Sequence, residues 1–567
     1  MTEAGHRSEI FELASDIVQR DAELDPTFAT AYGIHGFDHL LPDFSPDAEI
    51  RQREHVSEAL RQLSLLRPID DIDRLGAEVI RERLETRLNL LDSGESARTF
   101  SVLYSPLSEI RQVFELMSTD DTDVIAARLA LVRPALDSWR QRLEGLRAND
   151  SLPPRRQVLG VAEQAQTYAQ GTYQAFAARI SPGESDNAAL TAAARDADAA
   201  CAELATWMRD FLAPNATEHD ACGEERYRVW TKNWTGADLD LGELYEWGYA
   251  DLQRINRRMW EIAASVAPDA QSLVEVANVL DSDPARMIEG TDELLKRLVS
   301  FTQRAVEALD GVHFDIDDRI RFCDARLAPE GAAAAPYYIP PSEDLSRPGT
   351  TWFPTLGETQ FSWWRHASTW YHEGVPGHHL QCATSIIEAD RQSRFHLLEA
   401  WTSGYGEGWA LYAERLMEEF GFFSDLGDEL GYLASQALRA ARVVVDIGLH
   451  LELAAPDDLG SLGDLGDCGG KIWTAEMAVA LLKEKAIQDH ESSVSEVDRY
   501  LGLPGQAISY KVGERVWLEV REEARRSWGP SFKLKDFHRQ ALDLGSVGLQ
   551  QLREEMREPR SATVLTE

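Results

Sequence analysis

Apolar residues recur at intervals of three and four positions along most of the first 215 residues. Such spacing gathers them on one face of an α-helix. The pattern predicts helices that include residues 50–66, 72–91, 124–146 and 188–212. Proline-containing breaks separate these segments and are typical of loops between antiparallel helices. We therefore expect an N-terminal helical region that has no chemical site of its own.

The hydrophobic pattern changes after residue 309. Helical spacing continues over residues 239–266 and 284–309, and then aromatic and β-branched residues stand beside prolines at 337–341 and 350–354. Two such runs around a polar turn predict a short β-hairpin with an exposed edge. An exposed edge strand can pair with an extended peptide, whereas a surface loop that packs its own aromatic residues explains the pattern equally well.

A dense polar cluster follows the predicted hairpin. It holds His372, His378 and His379, three of the 14 histidines of the chain, and Glu373 lies beside the first. The usual helical zinc motif has two histidines four positions apart and a glutamate after the first. Here the fourth position after His372 is Pro376, and two residues are inserted before the second histidine. The cluster predicts a metal site built on an irregular helix.

An irregularity is needed to bring His372 and His378 together, because six residues of a regular helix turn by about 600°. Pro376 and Gly377 supply it, since proline lacks a backbone donor and glycine accepts unusual dihedral angles. His379 keeps the face of His372 but lies about 10 Å along the axis, too far for both to bind one ion. We therefore prefer His372 and His378 as ligands. A kinked core helix with hydrogen-bonded histidines is the alternative without a metal.

A third ligand is predicted on a second helix. We expect the metal helix to begin near residue 356 and another helix to span residues 397–419. Glu407 lies 29 residues after His378, which fits a helix, a turn and a returning helix. The glycines on both sides of Glu407 allow a metal or another backbone to come close. We assign Glu414, two turns later, to orient a ligand imidazole, with direct metal binding as the alternative.

A further amphipathic helix is predicted over residues 434–451. Arg442 and Asp446 lie four positions apart in it, so they form a helical ion pair or the arginine turns into a cleft to bind a carboxylate. We expect Asp446 to support the site through hydrogen bonds. Later in the chain, Tyr510 and Gly513 share one side of another helix.

Composition excludes several classes of partner. Lys and Arg number 57 against 96 Asp and Glu, which gives a formal net charge of −39. Such a charge repels nucleic acid and anionic membranes, so we expect neither as a partner. The apolar runs are too short for a transmembrane helix, and the first residues lack the features of a secretory signal, so we expect a cytoplasmic protein. Five scattered cysteines favour reduced thiols.

Four motifs make the second half of the chain resemble a known family. They lie, in this order, at residues 372–381, 406–412, 442–450 and 504–510. The sequence resembles the DUF885 proteins, which are similar in fold and motif to gluzincin metallopeptidases such as the M32 carboxypeptidases, the M3 oligopeptidases and angiotensin-converting enzyme. The resemblance covers the chain well from about residue 337 onward.

The resemblance implies a mainly α, large neurolysin-like helical metallopeptidase fold, with a short β-hairpin or small sheet beside the metal site. The N-terminal helical region would span residues 1–215. The metal-binding catalytic region would span residues 216–567 and pack with the first region as one continuous body.

The resemblance also implies one Zn²⁺ ion bound by His372, His378 and Glu407, with Glu373 as the catalytic acid and base. The spacing of the residues indicates the same set. Because of the two inserted residues, His379 stays an alternative second ligand. We otherwise expect His379 to support the ligands from beside the site.

We expect a zinc-dependent peptidase that acts on small peptides. Glu373 would take a proton from water and pass it to the leaving amine, and Tyr510 would donate a hydrogen bond to the oxyanion. Arg442, His450 or Lys511 would bind a C-terminal carboxylate, which would make the enzyme a carboxypeptidase. The alternatives are a metal hydrolase of a non-peptide amide, such as an amino-acid conjugate, and a helical binding scaffold without catalysis.

Overall fold

Many helices of the N-terminal half begin at a polar residue that caps free backbone N–H groups. Ser8 Oγ accepts a hydrogen bond from Phe11 N–H at the start of the first helix, and Ser105 and Ser108 form a reciprocal capping box at the start of another. Proline often follows the cap, where its missing N–H costs nothing. The computed structural model describes residues 8–117, 119–149, 151–181, 187–328 and 335–559.

The first half of the chain forms a series of helices that a short π-helical turn, Met208–Leu212, extends at its end. These helices are α1 (Glu9–Leu24), α2 (Pro26–Ala31), α3 (Pro46–Leu63), α4 (Asp71–Asp92), α5 (Glu95–Arg98), α6 (Pro106–Leu116), α7 (Thr122–Leu129), α8 (Val132–Ala148), α9 (Arg155–Tyr168), α10 (Thr172–Ile180) and α11 (Ala188–Trp207). The prediction of a helical first half is confirmed.

The second half is also mainly helical, as predicted. Its helices are α12 (Glu224–Thr235), α13 (Leu241–Val266), α14 (Leu273–Asp281), α15 (Thr291–Leu309), α16 (Ala367–Glu373), α17 (His378–Ile387), α18 (Arg394–Glu399), α19 (Ser403–Glu419), α20 (Leu426–His450), α21 (Ala475–Ala486), α22 (His490–Gly502), α23 (Ser509–Trp528), α24 (Leu534–Leu542) and α25 (Leu549–Glu555).

Two predicted helices are interrupted. Residues 124–146 form parts of α7 and α8, because Pro134 is tolerated in the first turn of α8 but cannot continue α7. Residues 397–419 fall into α18 and α19, because the side chain of Thr402 caps the start of α19 by accepting from Tyr405 N–H. The predicted helix at residues 434–451 is the C-terminal part of the longer α20.

The predicted hairpin is confirmed. It pairs β3 (Tyr337–Ile339) with β4 (Thr350–Phe353) in antiparallel fashion, with Tyr338 opposite Thr351. β4 also pairs in parallel with β2 (Asp324–Leu327), so the hairpin belongs to a three-stranded sheet of order β2–β4–β3.

A second, two-stranded sheet corrects two helix predictions. The strand β1 (Met287–Glu289) pairs with β5 (Gln360–Ser362) in antiparallel fashion. Helix α15 therefore begins at Thr291 and not near residue 284, and α16 begins at Ala367 and not near residue 356. Both segments have apolar residues that fit a helical face, but their backbone groups pair with each other instead. Pairing between distant segments leaves no trace in local periodicity.

The contacts divide the chain into two compact units. One comprises Arg7–Val229 and Asp498–Pro504, and the other comprises Trp230–Val497 and Gly505–Glu567. The catalytic residues predicted from the sequence all belong to the unit that contains Trp230–Val497.

The first boundary lies later than the predicted one at residues 215–216. Residues after 215 still contact the unit that contains Arg7–Val229. Arg155 N–H donates to Thr217 O at 2.7 Å, and Arg226 Nε lies 2.7 Å from Glu95 Oε1. The break in the helical pattern marks the end of a helix, and the unit continues beyond it.

Helices α19 and α23 come closest where two glycines meet. A Cβ on Gly408 would lie 2.5 Å from Gly513 Cα, and a Cβ on Gly513 would lie 2.1 Å from Gly404 O. Side chains other than hydrogen cannot fit at such distances, so both positions require glycine. This contact holds α19, which carries Glu407, against α23, whose first turn carries Tyr510. Within the described residues, each helix is too short or too polar to cross a membrane.

Candidate metal centre

The predicted kink is a complete break between two helices. His372 lies in the last turn of α16, and His378 is the first residue of α17. Gly377 lies between them and donates its N–H to Tyr371 O at 3.1 Å. A Cβ on Gly377 would lie 1.9 Å from His372 O, so the chain can fold back here only with glycine. The break brings the two imidazole rings within 4.8 Å, centroid to centroid, and perpendicular to each other.

Glu407 meets both imidazoles from α19, which packs against α16. Its Oε2 lies 3.2 Å from His372 Nε2 and 3.5 Å from His378 Nε2. Its side chain keeps 19% exposure and that of His378 keeps 11%, so both lie near the protein surface and not in the deepest part of the core. The predicted convergence of two imidazoles and a carboxylate is therefore present in the structure.

The three side chains fit a zinc ion. One ligand atom from each of His372, His378 and Glu407 lies within 4.8 Å of the others. Two ligands of a tetrahedral zinc ion, each about 2.1 Å from it, lie about 3.4 Å apart. The two nitrogen-to-oxygen distances, 3.2 and 3.5 Å, match this value. Two histidines and one carboxylate are also a donor set of catalytic zinc sites, which keep one position open.

Glu414 holds the first imidazole in place. Its Oε1 lies 2.8 Å from His372 Nδ1, and its Oε2 accepts hydrogen bonds from Ser368 and, at 3.3 Å, from Ser435. A proton on Nδ1 that is donated to Glu414 leaves the Nε2 lone pair for a metal. His378 differs, because its Nδ1 is buried without a hydrogen-bond partner among the described residues.

Electrostatics favour a cation at this point. Burial lowers the pKa of His372, but its hydrogen bonds to Glu407 and Glu414 outweigh burial and raise the pKa to about 10. Burial raises the pKa of Glu407, but its bonds to His372 and His378 outweigh burial and hold the pKa well below its usual range. Glu407 and Glu414 are therefore carboxylates that a positive charge stabilises.

Glu373 ends α16 directly after the first histidine and is 7% exposed. Burial raises its pKa above the usual value, although the charges of His372 and His378 oppose the rise. The carboxyl group of Glu373 therefore lies close enough to the two histidines for their charges to act on its pKa.

His379 bonds to residues outside the three-residue cluster. Its Nε2 lies 2.8 Å from Ile320 O and its Nδ1 lies 2.9 Å from Tyr338 Oη. A neutral ring satisfies both contacts by donating to the carbonyl and accepting from the tyrosine. These bonds attach α17 to Ile320 and to Tyr338 of β3, and they leave His378 as the second histidine of the cluster.

The basic residues predicted to bind substrate have partners within the protein. Lys511 is 2% exposed, and its ammonium group lies 2.5 Å from Gln436 Oε1, 2.5 Å from Glu514 Oε2 and 3.3 Å from Asp251 Oδ2. Arg442 lies 2.9 Å from Glu496 Oε2. Helices α13, α22 and α23 supply these acidic partners, whose proximity is not visible in the sequence.

Three further predicted residues lie along α20 and α23. His450 is 1% exposed, and its Nε2 lies 3.7 Å from Asp446 Oδ1. Asp446 Oδ2 also accepts a hydrogen bond from Gly505 N–H at 2.9 Å, so Asp446 holds the turn before α23. Tyr510 lies in the first turn of α23 with its ring 4.9 Å from the guanidinium carbon of Arg442.

Sequence reasoning assigned no role to three residues near the centre. Ser435 and Arg439 lie one turn apart on α20 and connect to Glu414. Trp401, before α19, is 44% exposed and its ring centroid lies 6.1 Å from that of His378. The one signal in the sequence was the four-residue spacing of Ser435 and Arg439, which places them on the same helix face.

The chain belongs to the DUF885 family. The family model, described as a bacterial protein of unknown function, matches residues 26–556. The fold is similar to the crystal structure of a candidate lipoprotein from Colwellia psychrerythraea, with a TM-score of 0.81 and 20% identity over 97% of this chain and 98% of that chain. It is also similar to the structure of a candidate lipoprotein of unknown function from Shewanella oneidensis, with a TM-score of 0.74 and 18% identity over 97% of this chain and 100% of that chain. At these low identities, the TM-scores show that the three proteins share a fold. No curated protein matches this chain.

Proposed function

We propose that this protein is a zinc-dependent hydrolase that cleaves peptide bonds in small peptides, in the manner of the gluzincin carboxypeptidases and oligopeptidases. The observation that supports the proposal most is the meeting of His372, His378 and Glu407 at metal-ligand spacing, with Glu373 beside them. A largely buried set of two histidines and one carboxylate next to a second acid is the arrangement that metal-assisted hydrolysis needs.

His372, His378 and Glu407 would hold the ion, and Glu414 would fix the ring of His372. A zinc ion in such a site supplies a Lewis acid that polarises a carbonyl group and lowers the pKa of water. Glu373 accepts the proton of the attacking water and delivers it to the leaving amine. This proton transfer explains why a titratable carboxyl group lies buried beside the ligands.

Tyr510 is proposed to stabilise the oxyanion. It lies in the first turn of α23, which packs against the helix that carries Glu407. A phenol that donates a hydrogen bond where negative charge develops contributes about 3 kcal/mol to catalysis.

The exchange of Glu373 for glutamine tests the proposal. Glu373→Gln keeps the shape of the side chain but cannot accept a proton, so zinc binding should persist while peptide turnover falls by a factor of about 10² to 10⁴. Glu418→Gln is the control, because Glu418 is exposed on α19. The measurement is zinc content together with hydrolysis of a small peptide library.

Undiminished hydrolysis by Glu373→Gln would reject this residue as the base. If zinc-loaded wild-type protein cleaves N-acyl amino acids but no peptide, the alternative of a non-peptide amide hydrolase replaces the peptidase. A zinc-loaded protein that cleaves neither class would be a binding scaffold.

A further inference from the structure

Arg439 lies on α20 at the end of a hydrogen-bonded chain that leads to the candidate metal ligands. Its Nη1 donates to Ser435 O at 3.2 Å and also to Ser435 Oγ. Ser435 Oγ in turn donates to Glu414 Oε2 at 3.3 Å, and Glu414 Oε1 lies 2.8 Å from His372 Nδ1. The positive charge of Arg439 acts on the carboxyl groups of both Glu414 and Glu373. The guanidinium group is therefore connected to the candidate ligand His372 through the side chains of Ser435 and Glu414.

The charge of Arg439 has no close counter-ion in the described part of the chain. No carboxylate oxygen there lies within 4.0 Å of its nitrogens. Among the described residues its hydrogen bonds use Nη1 alone, so the donors on Nε and Nη2 find no acceptor there, and Nε is buried. A partly buried guanidinium with unused donors costs free energy unless an anion completes it.

Two other basic residues, Lys511 and Arg442, are already paired with carboxylates. The ammonium group of Lys511 contacts Glu514 and lies near Asp251, and Arg442 forms an ion pair with Glu496. Breaking such pairs to bind a ligand would leave buried carboxylates uncompensated. Arg439 has no such pair to break within the part of the chain that the structure describes.

We infer that Arg439 binds a carboxylate of the substrate beside the metal centre, so that the enzyme selects peptides with an anionic group near the scissile bond. The inference rests on the proposed function and names its substrate class. Guanidinium and carboxylate pair strongly because their donors and acceptors match in a plane.

Two carboxylates can meet Arg439: the C-terminal carboxylate of a peptide and an acidic side chain. Three peptides of otherwise equal sequence separate them. The first is neutral with an amidated C-terminus, the second has a free C-terminus, and the third is amidated and has a glutamate next to the scissile bond. Loss of cleavage of the second or of the third peptide in Arg439 variants identifies which carboxylate is bound.

The variants are Arg439→Gln, Arg439→Lys and the control Arg258→Gln, an exposed arginine of α13. Arg439→Gln should lower kcat/KM for one of the two anionic peptides by about 10- to 100-fold, chiefly through KM, and change the neutral peptide by less than about threefold. Arg439→Lys should restore part of the loss. An equal loss on all three peptides would overturn the inference, because it would assign Arg439 to support of Glu414. No loss on any peptide would overturn it as well.

A binding measurement decides the inference without turnover. In zinc-free protein, N-acetylphenylalanine should bind at least about fivefold more tightly than N-acetylphenylalanine amide, and Arg439→Gln should remove that difference. A difference that persists in the variant, or equal binding of both compounds to wild-type protein, would reject a carboxylate site at Arg439. Absence of peptide hydrolysis with this binding difference intact would instead reject the proposed function alone.

Discussion

Exchange of Glu414 for glutamine should weaken zinc binding without unfolding the site. Glu414 is fully buried, and its carboxylate bonds to His372, Ser368 and Ser435. Glutamine has nearly the same shape, and its oxygen can still accept from His372 Nδ1–H while its amide group faces the serine hydroxyls. The variant therefore keeps the hydrogen bonds and removes the negative charge.

The size of the effect follows from the 2.8 Å contact between Glu414 Oε1 and His372 Nδ1. A hydrogen bond to a charged acceptor is roughly twice as strong as one to a neutral acceptor, and the carboxylate also makes the imidazole a better ligand. Loss of such a partner weakens metal binding by about 10- to 100-fold. This corresponds to about 1.4–2.8 kcal/mol of binding free energy.

The assay is a competition titration of zinc between the protein and a chromophoric chelator. The control is Glu418→Gln, which removes a charge from the exposed side of the same helix and should leave zinc affinity unchanged. An unchanged zinc affinity in folded Glu414→Gln would refute the reasoning that this carboxylate orients and activates a metal ligand. An equal loss in both variants would show that the net charge of α19 is responsible.

Two further predictions concern the fold around the centre. Gly377→Ala would place a Cβ 1.9 Å from His372 O, so it should lower the free energy of unfolding by about 3 kcal/mol and abolish zinc binding. The control is Gly242→Ala, whose Cβ would meet its nearest atom at 3.6 Å. In urea titrations the control should change the free energy of unfolding by less than about 1 kcal/mol. Wild-type stability in Gly377→Ala, or a loss no larger than that of Gly242→Ala, would contradict the close approach. Burial lowers the pKa of His538 to about 3, so the folded protein keeps this ring neutral while the unfolded chain takes up a proton below pH 6.5. In urea titrations, the free energy of unfolding of the wild-type protein should therefore fall by about 2 kcal/mol on account of His538 as the pH is lowered from 7.5 to 5. His538→Gln should lack this part of the fall. The same pH dependence in both proteins would show that His538 is not responsible.

The sequence predicted the clustering of His372, His378 and Glu407 because the signals for it are local. His372 and His378 lie six positions apart, and Pro376 and Gly377 between them forecast the irregularity that brings their rings together. Glu407 could be predicted as the third member of the cluster because a helix, a turn and a returning helix fit its separation from His378. Each of these inferences depends on nearby residues whose backbone preferences are strong.

The sequence failed where distant segments pair. The segments that contain β1 and β5 have apolar residues that also fit a helix, and the hydrogen bonds between the two segments make them strands. Helix α19 begins where the side chain of Thr402 accepts a hydrogen bond from Tyr405 N–H. In the sequence, this capping signal is less visible than the apolar pattern that runs across it. Local periodicity cannot weigh such contacts.

Charge partners were also beyond the sequence. Lys511 and Arg442 stood out as cations near the site motifs, yet the structure pairs them with Glu514 and Glu496. The sequence gives no role to Arg439, although among the described residues its Nε and Nη2 have no hydrogen-bond acceptor. Whether a cation is available to a ligand depends on acids contributed by other helices, which composition and spacing do not reveal.

The most direct test of the account is anomalous scattering at the zinc edge from crystals of protein prepared with one equivalent of zinc. The account predicts one strong peak within about 2.3 Å of His372 Nε2, His378 Nε2 and a Glu407 oxygen. Zinc-replete crystals without a peak at this point, or with their strongest peak bound by other residues, would contradict the central claim that these three side chains form a metal centre.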